Sequence, residues 1–240
     1  MSRLIFLDIG GHLGQSVEVA LDGAWRFDEV HTFEPHPEYA RHISERFADA
    51  VHSGRLTVHQ EAVGGHDGEV QLFGDNGAGG ATVISGLLSS EAIHVAARLI
   101  DINRFLAGFA ADDRIYLKLN CEGGEVAILD RMCAWAGPAQ LAGIMADFDI
   151  AKSGFGYYEK RRVMRRIAAA AMPLMLSETV MVGKTHAERL ANWLSYYPEL
   201  AADGQARSPN RQPLKRRVKY MLRDVRSAVG LSGKGHRRRA

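Results

Sequence analysis

The apolar run Leu4-Ile5-Phe6-Leu7 stops at Asp8 and opens into Ile9-Gly10-Gly11-His12-Leu13-Gly14, after which Gln15 begins a helical pattern. Four successive apolar residues suit a strand covered on both faces, as in a parallel sheet, rather than one with a wet side. Glycines at the end of such a strand let the chain turn tightly and bring its backbone close to a ligand with no Cβ in between. A buried strand, a glycine turn and a helix start in that order restrict the chain to folds built from strand–helix–strand units. The pattern that follows agrees. Residues 30–33, 56–63, 114–119 and 143–148 read as strands, and 15–24, 38–48, 125–135 and 157–172 as helices. Residues 70–73 and 81–84 flank the Gly-rich stretch 74–80 and read as a hairpin or flap. Residues 99–109 read as a short helix or extended piece, and 175–182 as β-prone. Strands alternating with helices mean an α/β fold with a mainly parallel sheet.

The 240 residues suit one domain of about 200 residues with an appendage. Hydrophobic residues at 46% and charged residues at 24% exclude a disordered or collagen-like chain. Two cysteines, Cys121 and Cys133, make no disulfide framework. The N-terminal apolar run is too short for a signal-peptide core, and no stretch reaches the roughly 18 apolar residues of a membrane span. These features place the chain in the cytoplasm.

The net charge of +2 hides a division. Residues 209–240 hold eleven Lys and Arg against one acid, a net +10, which leaves the first 208 residues at −8. Residues 1–200 read as the folded domain, 201–213 as a linker rich in polar residues and proline, and 214–240 as a basic amphipathic helix with a tail. Leu214, Val218, Met221, Leu222, Val225 and Val229 fall on one helical face, with Lys and Arg between them. Such a helix over 214–229 suits an anionic membrane surface at the inner face of the membrane, a polyanion, or the body of the domain itself. Nucleic acid is the weaker partner, because Tyr220 is the lone aromatic among the basic residues.

The glycine turn reads Asp8-x-Gly10-Gly11-x-x-Gly14, and His12 takes the position of the middle glycine in a dinucleotide-binding Gly-x-Gly-x-x-Gly. A carboxylate at Asp8 would face a pyrophosphate with like charge. A ligand carrying an ammonium and a sulfonium and no phosphate would be favoured there, and S-adenosyl-L-methionine is such a ligand. Glu34 follows Gly14 by twenty residues at the end of the second strand, where an acid accepts hydrogen bonds from ribose hydroxyls. Pro35, His36 and Pro37 form a stiff turn that can pack on an adenine face, and His12 can reach the methionine carboxylate.

Four blocks together resemble the FkbM family of S-adenosylmethionine-dependent methyltransferases: Leu7-Asp8-Ile9-Gly10-Gly11-His12-Leu13-Gly14-Gln15, His31-Thr32-Phe33-Glu34-Pro35-His36-Pro37-Glu38, Ala62-Val63-Gly64-Gly65-His66-Asp67-Gly68-Glu69-Val70 and Tyr116-Leu117-Lys118-Leu119-Asn120-Cys121-Glu122-Gly123-Gly124-Glu125. The resemblance spans about residues 4–150. It implies a Rossmann-like class I methyltransferase fold, a mainly parallel seven-stranded sheet with helices on both faces. It also implies methyl transfer, usually to a hydroxyl on a sugar or secondary metabolite. It gives the cofactor set as Asp8, Gly10, Gly11, His12, Gly14, Glu34, Pro35, His36, Ala62 and Val63. Two departures stand out. The family's fourth-strand Asp is Asn120 here, and the residues that usually precede the first strand and help to cover the cofactor are few, so another segment is expected to close the site.

For catalysis the residues at the end of the 114–119 strand matter, since ligands of such sheets gather at the carboxyl ends of the strands. Glu122 is the candidate general base, Lys118 its orienter or a clamp for an acidic acceptor, and Asn120 the third member. The structural alternative pairs Lys118 with Glu122 across the strand end and gives Glu125 the role of capping the next helix. Asp147 and Asp149 are candidates for acceptor hydroxyls or a metal, and the loops 74–86 and 152–158 for the acceptor pocket. No histidine pair has zinc-motif spacing, and no Walker loop or Gly-x-Ser-x-Gly elbow is present, so no metal is expected. The acceptor reads as a glycan or small hydroxylated molecule. The competing readings are a nucleic-acid methyltransferase gripping through the tail and, because of Asn120, a silent binding protein.

Overall fold

The computed structural model describes residues 2–74, 81–82, 93–135, 141–149, 156–204 and 208–210. The chain runs through β1 (Leu4–Ile9), α1 (Gln15–Leu21), β2 (Glu29–Phe33), α2 (Pro37–Arg46), α3 (Ala48–His52) and β3 (Leu56–His59). It continues through β4 (Ala62–Gly64), β5 (Gly68–Gly74), β6 (Ala81–Thr82), β7 (Ile93–Asp101), α4 (Ile102–Leu106), β8 (Arg114–Leu119) and α5 (Glu125–Cys133). The last elements are β9 (Leu141–Ala146), α6 (Gly156–Ala169), β10 (Leu174–Leu176), α7 (Ser177–Val180) and α8 (His186–Leu194).

The main sheet has the order β10-β9-β8-β1-β2-β3, and every pairing in it is parallel. This is the expected α/β architecture with six strands among the described residues in place of seven. Residues 175–182 contribute only the end of β10, because the chain coils at Ser177 and the Thr179 hydroxyl bonds back to the Leu176 carbonyl at 2.7 Å. The 56–63 strand is in fact two. β3 ends at His59, whose carbonyl takes the Glu34 amide at 3.0 Å, and β4 then joins a second sheet, β4-β7-β5-β6. Residues 99–109 divide at Asp101, whose side chain accepts the Asn103 and Arg104 amides and so converts β7 into α4. An N-cap of this kind satisfies amides that the first helical turn leaves without partners.

Alternate residues of β1 explain its continuous apolar run. Ile5, Leu7 and Ile9 face a core shared with α5 and α6, while Phe6 faces a second core built with α1 and α8. Trp193 of α8 is fully buried in that second core, and Tyr197 just beyond it packs so tightly on β9 that a Cβ at Gly143 would overlap its ring. The segment after α8 is pinned as well. Trp25 bridges Ala201, Arg26 donates to the Leu200 carbonyl at 2.9 Å, and Asn192 exchanges two hydrogen bonds with the Asn210 backbone. The basic helix expected over 214–229 lies outside the described residues, as do residues 75–80 and most of the two acceptor loops. Among the described residues no helix is long and apolar enough to cross a membrane.

Candidate active site

Parallel pairing sets Asp8 on β1 directly opposite Lys118 on β8. The Lys118 ammonium donates to Asp8 Oδ1 at 2.7 Å and to the Gly10 carbonyl at 2.9 Å, and the Thr32 hydroxyl reaches Asp8 Oδ2 at 3.4 Å. The two charged groups are 0% and 3% exposed. A buried pair of this kind survives because its charges and hydrogen-bond donors are met locally, and either charge left alone would be costly. Lys118 is therefore committed to Asp8, and the alternative pair with Glu122 is not formed. Asp8 lies beneath the glycine turn and outside the cavity wall, so it positions the loop from below.

The turn above is tied down amide by amide. Gly10 and Gly11 both donate to the Phe33 carbonyl, at 3.0 and 3.1 Å, and Gly14 donates to the Gly11 carbonyl at 2.8 Å. His12 donates its backbone amide to Glu34 Oε2 at 2.7 Å. Gly10 has φ 92°, and a Cβ there would overlap the Asn120 carbonyl oxygen, so only glycine fits where the two loops cross. Gly14 starts α1 away from the cavity wall, against Phe47.

Glu34 is buried, with Oε2 on the His12 amide and Oε1 on the His36 amide at 2.9 Å. Burial pushes its carboxyl up to about 7, against the opposing pull of those two amides. An ionised carboxylate offers about four lone-pair sites, so roughly two remain for a ligand. The His36 ring turns away from the cavity onto Tyr39, with centroids 4.7 Å apart, and Tyr39 also meets the His12 ring edge-on at 4.9 Å.

At the end of β8, Glu125 organises the loop before α5. Its buried carboxylate accepts the Cys121 amide at 3.2 Å and the Gly123 amide at 3.1 Å. Burial raises Glu125 to about 7 and holds the Cys121 thiol well above its usual value, so that thiol stays protonated. The loop turns through a left-handed Glu122, φ 49°. Asn120 donates its backbone amide to the Ile9 carbonyl at 3.0 Å, and its buried Oδ1 has no hydrogen-bond partner among the described residues. Asp149 is buried nearby and raises both Cys121 and Glu125 by its charge. Asp147 is half-buried, its amide on the Leu119 carbonyl at 2.9 Å. Among the described residues no three metal-ligating side chains cluster.

A cavity opens at the carboxyl ends of β1, β2 and β8. Gly10, Gly11 and His12 line it from the turn, Glu34 and Pro35 from the end of β2, and Ala62 and Val63 from β4. Lys118, Asn120 and Glu122 line it from β8. Asp8, Gly14 and His36 stand behind that wall. Five further lining residues lie outside the sequence blocks: Ser16, Tyr39, Glu61, Leu72 and His186. Tyr39 and Glu61 adjoin recognised blocks, whereas His186 comes from α8, 170 residues from Ser16.

These residues and their order define a methyltransferase-type domain. The methyltransferase FkbM domain family matches residues 8–169, and the chain belongs to that family. A similar solved structure is a methyltransferase FkbM from Methylobacillus flagellatus KT, at 16% identity and a TM-score of 0.38. The match covers 82% of this chain and 38% of that one, so this chain spans well under half its length. No curated protein matches the chain.

Removing one partner of the buried pair should expose its role. Lys118→Met or Asp8→Leu alone should each cost about 3–5 kcal/mol in urea unfolding. The double variant should be more stable than either single one. Additive losses would contradict the pairing as the determinant of this site.

Proposed function

We propose that the chain is an S-adenosylmethionine-dependent O-methyltransferase whose acceptor is a hydroxyl on a glycan or small hydroxylated metabolite. One observation carries the choice of cofactor. The amides of Gly10, Gly11, His12 and Gly14 are all spent on acceptors within the protein. A pyrophosphate would need such amides free. A nucleoside without phosphate needs only an acid for its ribose and a flat apolar wall for its base, which Glu34, Pro35, Ala62 and Val63 supply. The Asn120 Oδ1, without a partner among the described residues, fits the ammonium at the amino-acid end of such a cofactor.

The bound cofactor supplies an electrophilic methyl for in-line displacement. The chain's own task is to hold an acceptor oxygen in line and to take its proton. Glu122, on the strained turn at the end of β8, is the base in this reading. Asn120 can orient but cannot accept the proton, so the family's Asp at that position is not the base here. The net +10 of residues 209–240 supports an anionic membrane surface as the partner of the tail, with the enzyme body peripheral at the inner face. That setting would bring a lipid-linked glycan within reach.

S-adenosylhomocysteine should raise the melting temperature and NAD should not; no shift with S-adenosylhomocysteine would overturn the cofactor assignment. The raised Glu34 adds a pH signature. Its carboxyl lies at about 7 instead of 4.5, so the empty protein loses stability as pH rises through 7, and ribose hydroxyls offset that loss by binding the ionised form. The dissociation constant should therefore weaken about tenfold from pH 8 to pH 6, and Glu34→Gln should flatten the profile. Glu122→Gln should slow transfer by roughly 10²-fold or more with S-adenosylhomocysteine affinity unchanged. Full rate would remove Glu122 as base. The acceptor for that assay comes from mass spectrometry of glycans from cells with and without the gene. Co-sedimentation with anionic vesicles should be lost on deleting residues 211–240, and retention would contradict the role given to the tail.

A further inference from the structure

His186 is the one wall residue from the C-terminal side of the described cavity, beyond the family-matched residues 8–169. Its Nε2 lies 3.0 Å from the Ser16 hydroxyl. Ser16 is 1% exposed, at the second position of α1. The pair is built into the fold at both ends. Ser16 follows the tied glycine turn. His186 opens α8, which a Thr185–Glu188 capping box starts and the buried Trp193 anchors. Both residues also line the cavity.

We infer that Ser16, oriented by His186, binds the carboxylate at the amino-acid end of the cofactor, a role that rests on the cofactor reading above. The acids on the cavity wall, Glu34, Glu61 and Glu122, come from the ends of β2, β4 and β8. Ser16 and His186 add a hydroxyl and an imidazole from α1 and α8, with no acid from either helix on the wall. Burial, and after it the Lys118 charge, hold both rings below the ordinary imidazole value, with Asp8 opposing at His186. Both imidazoles are thus neutral at pH 7. With the proton on Nε2, His186 donates to Ser16 Oγ, and the serine hydroxyl proton is left for a further acceptor. An anionic carboxylate is the acceptor that this cofactor brings. Charge-assisted bonds of this type are stronger than neutral ones. In this arrangement α8 adds a wall residue from beyond the family-matched residues 8–169.

Calorimetry with two ligands tests this. S-adenosylhomocysteine carries the amino-acid carboxylate, and 5′-methylthioadenosine has the same nucleoside and sulfur without it. His186→Ala and Ser16→Ala should each weaken S-adenosylhomocysteine about tenfold and leave 5′-methylthioadenosine unchanged within about twofold. His186→Gln, which keeps a donor, should recover part of the loss. Glu34→Ala should weaken both ligands alike. Equal losses for both ligands in His186→Ala, or no loss for either, would overturn the inference while wild-type binding of both ligands leaves the cofactor reading intact. Failure of the wild type to bind either ligand would overturn both.

Discussion

Lys118 and Asp8 face each other across two parallel strands, one ammonium and one carboxylate with almost no access to water. Neither strand can slip in register without separating them, and separation strands a charge in the core. The same ammonium also holds the Gly10 carbonyl, so the pair reaches upward into the turn. The Gly10 and Asn120 backbones then cross in contact, which fixes the loop after β8 relative to the turn after β1. Two sequence blocks 110 residues apart are thereby one mechanical unit. Glu34, Asn120 and Glu122 inherit their positions from it.

Two buried carboxylates near that unit show how placement divides roles. Glu34 and Glu125 are both raised to about 7 by burial, and both are held by backbone amides. Glu34 lines the cavity and keeps lone pairs for a ligand. Glu125 stands behind the wall and uses its oxygens to shape the loop that presents Asn120 and Glu122. A raised carboxyl alone therefore does not mark a binding residue; access does.

Much of this was legible in the sequence. The continuous apolar run of β1 announced a strand covered on both faces, and the four blocks brought ten of the thirteen candidate site residues to the cavity wall. What was illegible depended on tertiary partners. Lys118 has an acid four residues away, Glu122, and local spacing favours that pair, yet strand register delivers Asp8. The 56–63 run reads as one strand because periodicity does not report a change of sheet at Gln60 and Glu61. The Thr185–Glu188 capping signal marks a helix start without telling which cavity its first residue meets, so His186 escaped notice.

In the function proposed, the glycine turn, with its amides already satisfied, presents a phosphate-free nucleoside to Glu34. A crystal structure of the chain with S-adenosylhomocysteine tests it most directly. Both ribose hydroxyls are expected within hydrogen-bond distance of the Glu34 carboxylate, with the Gly10 and Gly11 amides still on the Phe33 carbonyl. A nucleoside bound away from Glu34, or loop amides turned from Phe33 toward the ligand, would contradict it.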